Sequence, residues 1–180
     1  MLNREMLEAQ LSELPLYVYE FIDPKELEFT HRVRWICEHE CPMYGTTWAC
    51  PPGVGPMDHC QKICSRYENC LMVSTIVEVA DIANLEETLS TRSGHEEVTN
   101  QVRDLMREQG VDPYVLSTEA CAECERCAYL DGQPCRHPQR MQPCVESHGI
   151  NILPLLESRG LNFQYGENVV TWFSLLFFNE

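Results

Sequence analysis

Apolar side chains at Leu2, Met6, Leu7, Leu11 and Leu14 recur at helical spacing, which predicts an amphipathic helix ended by Pro15. Leu16–Ile22 then reads as a strand, followed by an Asp23-Pro24 turn. A second short strand is expected around Arg32–Cys37. From Glu38 to Cys70 the periodicity gives way to Cys, Pro and Gly, and Cys50-Pro-Pro-Gly-Val-Gly-Pro56 suits neither a helix nor a central strand. Asp58 is placed to cap a short helix running to about Tyr67, with Cys60, Ile63, Cys64 and Tyr67 on one side. Leu71–Val79 is the clearest strand, β-branched and bounded at both ends.

Helical sequence follows over Asn84–Gln109. Two capping-box patterns, Asn84 with Glu87 and Ser93 with Glu96, predict a break and restart near Gly94. The second part carries Val98, Val102, Leu105 and Met106 on one face, and Gly110 ends it. Pro113–Thr118 is a further strand and leads into a second cysteine-rich loop. Val145–Arg159 is a broken helical stretch around Pro154. The last strand, Val169–Phe178, is apolar enough to be central and covered on both faces. This order predicts one α+β domain over residues 1–180. It has a mixed β-sheet, flanking helices and two cysteine-rich loops, at about 37–70 and about 121–144. The two loops differ in spacing and are not copies.

Composition sharpens the picture at the cysteines. Eleven of 180 residues are Cys, while 44% hydrophobic content is enough for a core without disulfide staples. The N-terminus lacks a secretory apolar segment, and the ten residues of Val169–Phe178 are about half of what a membrane helix needs. A cytoplasmic location is therefore expected, where clustered thiols point to metal sites before disulfides. The net charge of −15 repels phosphate and anionic lipid, so neither nucleic acid nor membrane is expected as a partner.

Cys121-x2-Cys124-x2-Cys127 lets adjacent thiolates converge on one metal centre, and Cys135 supplies a fourth. The opening spacing matches the three-corner thiolate run of bacterial ferredoxins. The whole run, with seven residues before Cys135, matches the structural zinc lobe of medium-chain alcohol dehydrogenases. Spacing alone leaves an iron–sulfur cluster and zinc level. In the first loop the expected ligands are Cys37, Cys41, Cys50 and Cys60, with Cys64 one helical turn on as a replacement for Cys60. Tyr44 and Trp48 are placed to shield a centre from water, or to serve as ordinary core aromatics. His39, His59 and His137 stand beside ligand candidates. Cys70 and Cys144 read as bystanders, and Glu146 with His148 is given no catalytic role.

Taken together, these motifs resemble an uncharacterised prokaryotic family of predicted metal-binding proteins (domain of unknown function 2284). The resemblance rests on Cys37 and Cys41, Tyr44-Gly45, Trp48-Ala-Cys50-Pro-Pro52 and Tyr67. It continues through Cys121-x2-Cys124-x2-Cys127, Gly132-x2-Cys135-Arg-His-Pro138, Pro143, Val145-Glu146 and Gly149-Ile150-Asn151. It runs from about Arg34 to the last strand. The family pattern has a small non-cysteine residue where Cys144 stands and often Asp where Asn151 stands. The resemblance implies metal binding and an oxygen-sensitive centre, and it tips the choice toward [4Fe–4S] over zinc. The expected function is electron transfer or a redox-accessory role with a redox partner protein. The alternatives are a zinc-stabilised interaction module and a metalloenzyme with an open metal position at the first loop. No phosphate-binding glycine loop or nucleophile elbow is present to suggest a nucleotide-using enzyme or a hydrolase.

Overall fold

The computed structural model describes residues 1–180. Asn3 caps helix α1 (Arg4–Leu11) by accepting from the Met6 N–H, and Leu7 and Leu11 turn inward. Strand β1 (Val18–Ile22), a turn over 24–26 and the short strand β2 (Glu28–Phe29) follow. Residues 31–39 form helix α2 (His31–His39), where a strand was expected from the run of Val33, Trp35 and Ile36. Thr30 decides the outcome: its hydroxyl accepts from the Arg32 N–H, and the helix then buries Arg34 and Cys37 three residues apart on one face.

Helix α3 (Met57–Cys64) starts after Pro56 rather than at an Asp58 cap, and it buries Cys60 and Cys64. Strand β3 (Asn69–Glu78) leads to α4 (Leu85–Ser90) and α5 (Arg92–Glu108). Asn84 caps α4, while the Glu87 carboxylate turns to the N–H groups of Ala80 and Asp81. The break falls at Thr91 instead of Gly94, because the Thr91 hydroxyl is held by Trp172 Nε1 at 2.9 Å. After β4 (Tyr114–Leu116) come the second cysteine loop, β5 (Ile150–Asn151), α6 (Leu153–Ser158) and β6 (Val169–Phe178).

The main sheet runs β1-β3-β6-β4, and β2 pairs with β5 apart from it. The α+β class is as expected. The sheet differs from a mixed one: every strand pair is antiparallel, and the parallel component shrinks to an isolated bridge between Ser117 and Cys144. The reason lies in chain order. β3, α5 and β4 make a crossover whose two strands run parallel but are not neighbours. The last strand enters the gap between them, antiparallel to both. Its ten-residue register with β3, Asn69 against Phe178 to Glu78 against Val169, fixes the molecule's centre.

Alternation along β3 and β6 divides the core into two layers. Met72, Phe173, Leu175 and Phe177 face α6 and α3, with Ile22, Leu155 and Leu156 beside them. Leu71, Val73, Leu176 and Phe178 face α1 and α5, against Leu7, Leu11, Val102 and Met106. A polar seam crosses the sheet where α5 lies on it. His95 is shared between Thr75 Oγ1 (2.9 Å) and Ser174 Oγ (2.8 Å), and Ser174 donates on to Ser117 at 3.1 Å. Ser117 is the residue bridged to Cys144, so the seam ends at the cysteine-bearing side of the molecule.

Candidate metal centre

Four segments bring thiols to one cavity. Cys37 comes from the last turn of α2, and Cys41 from the loop just after it. Cys50 ends the Trp48-Ala-Cys50 turn, and Cys144 precedes the turn over 146–148. These four line a cavity of about 270 Å3 with apolar walls from Val33, Ile36, Met43 and Ala120. Cys50 and Cys144 are buried against Ala120. The Cys144 thiol interacts with those of Cys37 and Cys50. Contact with Cys144, with burial next, pushes the Cys50 thiol far up. Burial also raises Cys41.

The segments are held by backbone and by one cation. The Cys144 N–H donates to the Ala49 carbonyl at 3.3 Å, which sets the Cys50 turn against the segment carrying Cys144. Arg34, one turn before Cys37 on α2, is buried at 5% exposure. Its guanidinium donates to the Ser147 carbonyl, to the Gly55 carbonyl at 2.7 Å and to Glu38 at 2.7 Å. One side chain therefore ties together the helix of Cys37, the loop beyond Cys50 and the turn beyond Cys144. Gly53 allows that loop to close: a Cβ there would lie 2.7 Å from the Thr47 carbonyl oxygen.

Two carboxyls share the cavity wall, Glu119 and Glu146. The Glu146 side chain is exposed, on the wall of this cavity and of a smaller one. The surrounding protein raises the carboxyls of Glu119 and Glu146 above the usual range. Glu119 is the one non-glycine residue with positive φ, 52°. The cavity thus combines soft donors with protonatable carboxyls. His148 takes no part with Glu146; its ring lies between Tyr114 Oη (2.8 Å) and Ser147 Oγ (3.0 Å).

Cys60, expected as the fourth ligand here, lies elsewhere. It is fully buried, its thiol reaches the Val54 carbonyl at 3.5 Å, and it does not line the cavity. Cys64 is buried beside it, with its thiol raised to about 12 by burial, and Cys70 is fully buried in β3. Helix periodicity explains the placement, since Cys60 and Cys64 share the inward face of α3.

In the second loop Cys121, Cys124 and Cys127 line a common groove with Met43, Thr47 and Arg92. Burial raises Cys121 to about 11. Cys135 lies apart from them, on the wall of a different cavity of about 630 Å3 with Trp48, Arg103 and Tyr114. Trp48 joins the two loops: its Nε1 donates to the Gln133 carbonyl at 3.0 Å and its ring meets Tyr129 edge-on at 4.9 Å. Tyr44 is half exposed on the rim of the first cavity. His39 stacks on Trp35 at the surface, and His59 and His137 are exposed.

As the side chains stand, no group of three or more His, Cys, Asp or Glu residues could hold a metal ion. The donor chemistry nevertheless fits a soft metal. All eleven cysteines are free thiols, and seven of them line these two sites. Coordination needs each thiol to lose its proton.

A cysteine-rich α+β domain with grouped free thiols defines a class of candidate metal-binding proteins. The chain belongs to the family described as predicted metal-binding protein (DUF2284), which matches residues 20–178. No curated protein and no solved structure matches it. No helix is long and apolar enough to cross a membrane.

Proposed function

We propose that this protein holds an iron–sulfur cluster on the second loop through Cys121, Cys124 and Cys127, in an electron-transfer or redox-accessory role. The observation that carries the reading is the common groove of these three thiols, with Cys135 outside it. A closed zinc site needs four donors around one ion. Three thiolates at two-residue spacing instead suit three corners of a [4Fe–4S] cluster. The bound cluster would supply one-electron chemistry; the chain supplies the surroundings. Arg92 on the groove wall places a positive charge near the thiolates, while Glu96 and Glu123 oppose it. Hydrogen bonds and net charge around the sulfurs set the potential of such a centre.

The protein works in the cytoplasm on this reading. The surface charge of −15 favours a redox partner with a basic docking face and disfavours nucleic acid and anionic membrane. A second thiol centre at the first loop, through Cys37, Cys41 and Cys50, belongs to the same proposal.

Electron paramagnetic resonance of protein purified without air and reduced with dithionite tests it. A reduced-cluster signal is expected, and Cys124→Ala should remove the second-loop cluster's share of it. A colourless, signal-free protein holding zinc would support the alternative of a zinc-stabilised interaction module.

A further inference from the structure

We infer that the fourth thiol of the first centre is Cys144, so that Cys37, Cys41, Cys50 and Cys144 form one metal site, and that Cys60 is a core residue. The inference rests on the proposal that cysteine thiolates of this chain bind metal, and it names the ligands of one site.

Three observations carry it. These four thiols line the same apolar cavity and Cys60 does not. Cys144 interacts with both Cys50 and Cys37. The Ser147 N–H lies 3.2 Å from Cys144 Sγ and donates to it, which stabilises a thiolate at that position. Cys60, by contrast, directs its thiol to the Val54 carbonyl in α3's own approach loop and is fully buried near Cys64.

The cavity volume adds a statement about what is held. The cavity, of about 270 Å3, is several times the ~30 Å3 that one water takes in the liquid. The space suits a cluster, or an ion with a further ligand. Coordination by four thiols releases four protons, and the cavity opens beside Tyr44 for solvent to take them.

The test isolates the first site. Cys121→Ala/Cys124→Ala/Cys127→Ala protein is loaded with ferrous iron and sulfide without air, desalted and analysed for iron. We expect it to retain iron. Adding Cys144→Ser should lower retained iron at least ten-fold, and adding Cys60→Ser should leave it unchanged. Loss with Cys60→Ser but not Cys144→Ser overturns the inference, as does retention in both or an iron-free triple variant. If wild-type protein itself takes up no metal, the metal-binding proposal fails first, and the two failures are told apart. Should Cys144→Ser not fold, an iron-edge anomalous map of loaded wild-type crystals decides. A peak bounded by Cys37, Cys41, Cys50 and Cys144 supports the site, and a peak at Cys60 or none between the four overturns it.

Discussion

The Arg34 guanidinium donates to the carbonyl of Ser147, 113 positions away in sequence, and both residues are buried. The same group holds the Gly55 carbonyl, so three thiol-bearing segments depend on one side chain. A lysine can reach one of these carbonyls but not present the fork that serves both. Arg34→Lys is expected to lose about 2–4 kcal/mol of stability, because buried acceptors lose their donors. Urea unfolding of the metal-free protein measures this. The first centre should lose metal while the second keeps it.

Trp48→Phe removes the indole N–H that holds Gln133 and leaves an aromatic ring against Tyr129. The cost should be about 1 kcal/mol. The sharper readout is limited proteolysis, where cleavage within 121–144 should speed up several-fold relative to cleavage elsewhere. An unchanged digestion pattern would mean that the loops do not lean on each other.

Gly53→Ala tests the close approach of the first loop. The added methyl meets backbone at Thr47 and Trp48 rather than a flexible side chain, so the loop itself must shift. A loss of about 1–3 kcal/mol is expected, the range for overpacking. Gly94→Ala, where a Cβ meets nothing within 4 Å, should be neutral or slightly stabilising and serves as the control.

His95 gives a pH signature. Burial lowers its imidazole to about 4, so the folded protein keeps it neutral while the unfolded chain protonates near 6.5. Its contribution is present above pH 6.5 and is lost as pH falls toward 4, by about 3 kcal/mol. His148 acts in the same direction. Glu96, raised to about 7 by burial, acts in the opposite one and loses stability as pH rises from 4.5 to 7. The wild-type profile is therefore flattened, and the difference between wild type and His95→Asn isolates the histidine. The variant should be less stable at pH 7, and the gap should narrow as pH falls to 5. A constant gap would contradict the neutral, buried imidazole.

Much of the fold was legible because period and punctuation agreed. Leu7 and Leu11, the β-branched run of β3 and the apolar run of β6 each point to one element and to one or both core layers. Residues 31–39 misled because Val33, Trp35 and Ile36 carry strand propensity, while a single threonine hydroxyl starts the helix. The antiparallel sheet was not legible, since it depends on where the last strand enters. The site divides in the same way. Cys121, Cys124 and Cys127 are neighbours in sequence, so their spacing reports their grouping. Cys144 meets Cys37 and Cys50 through the Ala49 carbonyl, the Ser117 bridge and the Arg34 contacts, which no local spacing encodes. Cys60 looked like a ligand for the converse reason: it is near Cys50 in sequence and turned inward by α3.

The central claim is that grouped cysteines of this chain hold iron–sulfur chemistry. Iron, acid-labile sulfide and zinc measured together on protein purified without exposure to air test it most directly. The account predicts iron and sulfide in equal amounts, with both reduced in Cys124→Ala. Stoichiometric zinc with neither iron nor sulfide would contradict it.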